Sequence, residues 1–356
     1  MQAQKLTKWK KGLVQKNMNP GKAIEMTWST WHDRLHKTLL DNENLLPNGA
    51  CLLLSVSGGQ DSMALLKLLL DLQRIHKWNL HIWHGNHGWH SQSKQIAKEL
   101  QNWCEKQNLD FHCDHSTKEK TKTEKSARDW RYSFLKKRAD CLSENQTNTA
   151  CNHILTGHTS SDRAETFIMN LARGSDLAGL TSLREERVFS NNIQLVRPLL
   201  NFNRNETAQI CKELQLPIWI DPSNKSLEFK RNKIREIIFP ILEDMNPGCS
   251  LRIASLANRL THYQEDQKAL ALLAIEAISS KKGLSRTKLI SLPITARSTV
   301  LARWLEQMNA PSLSSIKLQT LSKKIDQSKP PGYLEIAKDL KVIWSRTSVQ
   351  LINRKS

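Results

Sequence analysis

From residue 51 onward, short apolar runs alternate with stretches of helical period, the pattern of βαβ units around a parallel sheet. Residues 51–56 (CLLLSV) form an almost unbroken apolar run, as a strand buried on both faces requires. A glycine turn follows, then an apolar-rich helix over 61–75. The same reading places strands at 80–83, 109–113, 153–156 and 195–200, the last ended by Pro198. Helices fall between them at 91–107, 126–142, 162–171 and 204–214, the second with a basic face. A Pro/Asn/Ser-rich turn at 221–224 breaks the alternation. Beyond it the periodicity predicts helices near 230–242, 251–278 and 296–307, and two short strands at 342–345 and 349–352.

No internal repeat or low-complexity tract interrupts this order. The pattern divides the chain into a basic extension over 1–45, an α/β domain over 46–220 and a smaller, mainly helical region over 221–356. The predicted fold class is α/β with a parallel five-stranded sheet. A length of 356 residues suits two domains, each with its own core. With 39% hydrophobic and 24% charged residues the chain is not disordered as a whole.

Charge changes the picture more than composition does. The 53 Lys and Arg against 34 Asp and Glu leave a net +19, which points to a polyanionic partner, nucleic acid or an anionic membrane surface. A membrane span is excluded: the apolar stretches at 63–70 (broken by Lys67) and 269–275 are too short for a bilayer. The seven cysteines form no C-x-x-C pair and read as free thiols of a reducing compartment. The N-terminus has no apolar signal core, but it carries Lys5, Lys8, Lys10, Lys11, Lys16 and Lys22 before the first acidic residue, Glu25. An RNA-contacting arm, an organelle-targeting segment and a solvated tail all fit it. The expected location is therefore the cytoplasm, with an organelle as the alternative.

The chemistry concentrates after the first strand, in Ser57-Gly58-Gly59-Gln60-Asp61-Ser62. Two glycines let the backbone turn sharply and bring its N–H groups against an anion. The helix start adds further donors and the positive end of its dipole. Ser57 and Ser62 can donate hydroxyl hydrogen bonds to phosphate oxygens. Asp61, repelled by phosphate, suits an N-cap or a Mg²⁺ ligand that neutralises a triphosphate. A capped glycine turn without any ligand is the bland alternative. No Walker lysine and no G-x-G-x-x-G occurs here, so neither a P-loop nor a dinucleotide site is formed.

This hexapeptide resembles the pyrophosphate loop of the N-type ATP pyrophosphatase superfamily, whose members cleave ATP between the α and β phosphates. Residues 158–166 (HTSSDRAET) and 171–175 (LARGS) are similar to a block of one subfamily, the tRNA(Ile)-lysidine synthetases. Residues 84–88 (HGNHG), 124–128 (EKSAR) with Arg131 and Tyr132, and 221–224 (DPSN) followed by 231–235 (RNKIR) fit it too. The resemblance is strong from about 51 to 240 and looser elsewhere. Where members often carry two acidic residues and a glutamine, this chain has Ser161-Asp162-Arg163, which puts one metal or catalytic carboxylate in doubt. Trp89 also stands where an aliphatic residue is common.

The resemblance implies an adenine-nucleotide alpha-hydrolase-like (PP-loop) sheet and an ATP- and Mg²⁺-dependent ligase. It would join free L-lysine to C2 of the wobble cytidine in the CAU-anticodon isoleucine tRNA, through an adenylated tRNA. It further implies catalytic roles for Asp61, Glu124, Arg128 and Asp162. The nucleotide would lie on residues Ser57 to Ser62, His87, Gly157 and His158. Substrates would meet Arg131, Glu165, Arg173, Arg231, Asn232 and Arg235, and Mg²⁺ would use Asp61 and Asp162.

The residues alone leave blander readings open. Arg128 and Arg131, three apart, share a helix face that grips phosphate or is simply solvated. Asp162 and Glu165 open a helix, where carboxylates are favoured by the dipole alone. Arg231, Lys233 and Arg235 suit RNA backbone contacts or a charged helix start. His81, His84, His87 and His90 recur every three residues without acidic or cysteine partners, which fits a pocket-lining loop better than a metal site. Trp9, Trp28 and Trp31 suit base stacking or core packing. The rival functions are a PP-loop tRNA thiolase, which such a chain without C-x-x-C fits poorly, and a nucleotide-sensing RNA-binding protein. The oligomeric state is open, a homodimer among the options.

Overall fold

The computed structural model describes residues 28–88, 91–117, 123–145, 150–190, 192–219, 227–280, 282–326 and 328–353. The chain runs through α1 (Thr30–Asp41), β1 (Cys51–Ser55), α2 (Gln60–His76), β2 (Asn79–Asn86), α3 (Ser93–Lys106), β3 (Asp110–His115) and α4 (Glu124–Asn145). It continues with β4 (His153–Thr156), α5 (Ser160–Leu171), α6 (Leu177–Leu180), β5 (Glu186–Ser190), β6 (Ile193–Val196) and α7 (Arg204–Glu213). Then come α8 (Lys230–Lys233), a π-helical turn (Ile234–Ile238), α9 (Phe239–Met245) and α10 (Cys249–Ile278). The last elements are β7 (Ser279–Ser280), β8 (Gly283–Ser285), α11 (Arg286–Ile290), α12 (Ile294–Gln307), α13 (Ser315–Lys324), β9 (Gly332–Ala337), β10 (Leu340–Trp344) and β11 (Ser348–Asn353).

These elements gather into two compact units. The first takes its described residues from Met1–Gly157, Val188–Pro198 and Thr207–Trp219, the second from His158–Arg187, Leu199–Glu206 and Ile220–Ser356. The first unit is built on a sheet of order β3-β2-β1-β4-β6-β5. β1 pairs in parallel with β2 and β4, β2 with β3, and β4 with β6. Being central explains the apolar run of β1: Cys51, Leu52, Leu53 and Leu54 are all 0% exposed. Burying each of those leucines contributes roughly 1.5–3 kcal/mol. The chain winds outward from β1 to β3, then returns to place β4 on the other side of β1. That reversal leaves a crevice beyond the carboxyl ends of β1 and β4, where ligands bind in open parallel sheets.

The five strands read from the pattern are all present. The sixth, β5, lies at the sheet edge and its sequence (ERVFS) is half polar, so no apolar run marks it. The second unit holds the C-terminal helices, which pack Ile275, Leu301, Trp304, Leu305 and Leu321 into a core of their own. Beside them, among the described residues, stands a five-stranded sheet of order β7-β8-β11-β10-β9, of which the sequence marked only β10 and β11. Two buried arginines tie this unit together. Arg286 donates to the carbonyls of Ile325, Ser345, Asp326 and Lys329, and Arg297 to those of Ser322, Ile290 and Leu292.

Among the described residues no helix is long and apolar enough to cross a membrane.

Candidate active site

The loop between β1 and α2 occupies the reversal point of the sheet. Gly58 sits at φ +86°, in the left-handed region where a side chain is strained. A Cβ there would also lie 3.2 Å from the Trp219 ring. Gly59 differs: its φ is −77°, and a Cβ would meet nothing closer than Ser57 Oγ at 3.5 Å. Its lack of a side chain therefore leaves space beside the loop rather than satisfying the turn. Gly157, at the end of β4, is required for close approach: a Cβ would stand 2.9 Å from the Asp61 carbonyl oxygen.

Ser57 and Ser62 knit the loop. The Ser57 N–H donates to Ser62 Oγ (3.2 Å), Ser62 Oγ donates to the Gly59 carbonyl (2.9 Å), and the Gly59 N–H donates to Ser57 Oγ (3.3 Å). α2 starts at Gln60 with Gly59 as its N-cap residue and no side-chain cap. Asp61 is thus not the N-cap that the sequence allowed. Its carboxylate accepts from the Thr207 hydroxyl and, at 3.5 Å, from the Gln60 amide, which itself donates to Thr207 Oγ1 at 3.1 Å. First-turn N–H groups have no carbonyl one turn earlier to accept them, so the start of α2 is a ready anion site at this crevice. Thr207, on α7, carried no signal in the sequence because it belongs to no local motif.

His87 lies after β2, edge-on to Trp130 at 4.8 Å between ring centroids. Asn86 folds this turn by accepting from the Gly88 N–H (2.9 Å) and donating to the Ser93 carbonyl (3.1 Å). His84 donates through Nδ1 to the Val56 carbonyl at 2.8 Å, so it braces the end of β1. Among the described residues no group of three or more His, Cys, Asp or Glu is placed to hold a metal. On α4, Arg128 is exposed with its guanidinium 5.2 Å from the Tyr132 ring centre, and Arg131 is half-buried. The Glu124 side chain, His90, Trp89, residues 221–224 and the N-terminal lysines with Trp9 lie outside the described residues. Trp28 and Trp31 are packed rather than free: each indole N–H donates to a carboxylate, Asp33 at 2.6 Å and Glu213 at 2.7 Å.

In the second unit the structure joins four of the expected site residues into one cluster. Asp162 closes a capping box at the start of α5, its Oδ2 accepting from the Thr159 N–H (2.7 Å) and hydroxyl (3.0 Å). Its Oδ1 accepts from Arg231 Nη2 at 2.7 Å. Glu165, one turn on, accepts from Arg231 Nε (2.8 Å) and from Arg235 Nε (2.6 Å) and Nη2 (2.9 Å). Burial pushes the Asp162 carboxyl up, but Arg231, His158, the Thr159 N–H and Arg235 outweigh it and hold it at about 2.

Both Asp162 oxygens accept from protein donors, and Arg231 and Arg235 are paired with the buried carboxylates of Asp162 and Glu165. Asn232, between them, is 8% exposed. Arg173 is exposed in the turn after α5, next to Gly174 at φ +71°. Ser161, standing where a second acid is common, accepts from the Arg204 N–H at 3.1 Å and serves to hold α7's first residue.

Comparison with known proteins identifies the family. A PP-loop domain model matches residues 30–242. A tRNA(Ile)-lysidine synthase of Prochlorococcus marinus is 54% identical over 330 residues, covering 93% of this chain and 98% of that protein. The chain belongs to the tRNA(Ile)-lysidine synthase family. A second tRNA(Ile)-lysidine synthase, from Parasynechococcus marenigrum, is 44% identical over 94% of this chain and 98% of its own length. Among solved structures, a U34-tRNA thiolase from Methanococcus maripaludis with a [4Fe-4S] cluster aligns at TM-score 0.51 and 21% identity, over 65% of this chain and 78% of that one. That likeness shows the PP-loop fold, which the synthase family shares.

Proposed function

We propose that this chain ligates free L-lysine to C2 of the wobble cytidine of the CAU-anticodon tRNA(Ile), consuming ATP and changing the codon read from AUG to AUA. The observation that carries the reading is the 54% identity to a tRNA(Ile)-lysidine synthase over nearly the whole length of both chains. In the first step the C2 carbonyl oxygen of the cytidine attacks the α-phosphorus of ATP and pyrophosphate leaves. In the second the ε-amine of lysine attacks C2, AMP leaves and the amine loses a proton.

The loop suits the first step. The N–H groups at the start of α2 and the Ser57 and Ser62 hydroxyls receive the leaving pyrophosphate, and the space beside Gly59 admits it. Mg²⁺, when bound, would offset phosphate charge; it typically takes one or two carboxylates, substrate phosphate oxygens and waters. Asp61 is the carboxylate at hand, oriented by Thr207 and Gln60. Arg128 and Arg131 are assigned to the charge that develops on the α-phosphate, with His87, Gly157 and His158 lining the nucleotide. The Asp162–Glu165–Arg231–Arg235 cluster shapes the lysine subsite, and Arg173 and Asn232 flank the tRNA. Glu124 retains its assigned catalytic role. The catalytic apparatus falls within 46–220, and 221–356 orients the tRNA. The seven free cysteines fit a reducing, cytoplasmic setting.

Incubation with ATP, labelled lysine and total tRNA tests this directly. Label should enter the CAU-anticodon isoleucine tRNA alone, with AMP and pyrophosphate formed in equal amounts. Recovery of ADP and phosphate as the only products overturns it, as does sulfur incorporation from a cysteine-derived donor.

A further inference from the structure

One segment of the first unit reaches the phosphate loop at three separate points. Thr207 holds Asp61 and Gln60, Cys211 Sγ donates to the Gln60 carbonyl at 3.3 Å, and Trp219 closes on Gly58. The Trp219 contact is double. Its backbone N–H donates to the Gly58 carbonyl at 2.9 Å, and its side chain covers the face where a Gly58 Cβ would be, 3.2 Å from Cε3 and 3.6 Å from Cβ. The indole is itself held: Nε1 donates to Glu99 Oε2 on α3 at 2.6 Å, and Gln95, one turn earlier, donates to the other oxygen of that carboxylate at 2.8 Å.

We propose that Trp219 is a positioning residue that holds the phosphate loop in its anion-receptive form, with Glu99 as the group that fixes its ring. A left-handed glycine is the most easily reversed point of a turn, because glycine populates both signs of φ. Fastening its carbonyl and covering its open face leaves the loop in one conformation before nucleotide arrives. Affinity then rises because less ordering is left to binding. The inference rests on reading the loop as an ATP site, but not on the identity of the acceptor.

The test is binding of ATP with Mg²⁺ to the full chain, without tRNA or lysine, by calorimetry. Trp219→Ala should weaken ATP about 10-fold, and Trp219→Phe and Glu99→Ala about 3-fold each, as loss of pre-organisation and of one hydrogen bond predict. Glu99→Gln keeps an acceptor oxygen and should restore wild-type binding. ATP binding within twofold of wild type in Glu99→Ala and in a folded Trp219→Ala overturns the proposal. Should these binding effects hold while no tRNA takes up lysine, the ligase reading fails and the role of Trp219 stands.

Discussion

At the scale of single residues the two adjacent glycines of the loop have different reasons to be there, and substitution separates them. Gly58→Ala forces a side chain into the left-handed region and toward Trp219, so it should cost about 1–2 kcal/mol of stability before any ligand is added. Gly59→Ala meets ordinary backbone geometry and should unfold within about 0.5 kcal/mol of wild type while still weakening ATP. Thermal unfolding of the free proteins, paired with ATP titration, checks both halves; equal destabilisation would refute the distinction. The loop was legible in the sequence because its chemistry is local, six consecutive residues between an apolar strand and a helix. Its supports were not. Thr207 stands 147 residues from Gln60, and Trp219 stands 120 from Glu99. No period or spacing relates positions that far apart; only the winding of the sheet brings them together.

At the scale of elements, helices were readable wherever a long amphipathic stretch repeats, and α2, α3, α5, α7 and α10 lie close to their predicted bounds. α1 escaped because it sits at the end of a basic segment read as an extension, and β5 because an edge strand needs no apolar run. The 230–242 stretch reads as one helix, yet it contains a π-helical turn. Pro240 has no N–H to give the carbonyl one turn before it, and the backbone opens ahead of it. That turn carries Arg235 to Glu165, so the element and the ion cluster depend on each other. Removing one member strands a buried charge: Arg235→Leu should cost about 3–5 kcal/mol in chemical unfolding, whereas Arg235→Lys should recover part of that. α1 gives a second prediction, in pH. His36 Nδ1 and His76 Nε2 lie 3.0 Å apart and share one proton between two neutral rings. Burial lowers both, His76 to about 4, with His36 beside it adding to the effect there. The unfolded chain binds these protons first, so stability should be complete above about pH 6.5 and decline toward pH 4, by about 3 kcal/mol through His76. Unfolding curves of wild type and His76→Gln across that range should converge in acid; parallel curves would remove the histidine pair as the cause.

At the scale of the whole molecule, a net +19 is a statement about partners, and the structure sorts which charges are available to them. Arg231 and Arg235 are neutralised by Asp162 and Glu165, while Arg286 and Arg297 are buried against carbonyls in the second unit. None of these four can contact a phosphate directly without first breaking a buried bond. The surplus open to tRNA includes exposed positions such as Lys125, Arg128, Lys230 and Lys233. Each phosphate neutralised should contribute about −0.7 to −0.9 to the slope of log affinity against log salt. Arg128→Ala should accordingly reduce the slope by about one and weaken all tRNAs alike, since phosphate contacts carry no sequence information. Arg231→Met should leave the slope unchanged, whatever it does to activity. Deleting residues 1–24 measures the N-terminal share: a slope lower by several units makes that segment an RNA-contacting arm, and an unchanged slope makes its lysines a solvated tail. If Arg231→Met lowers the slope as Arg128→Ala does, the ion cluster opens when tRNA binds, and the division between spent and available charge drawn here is wrong.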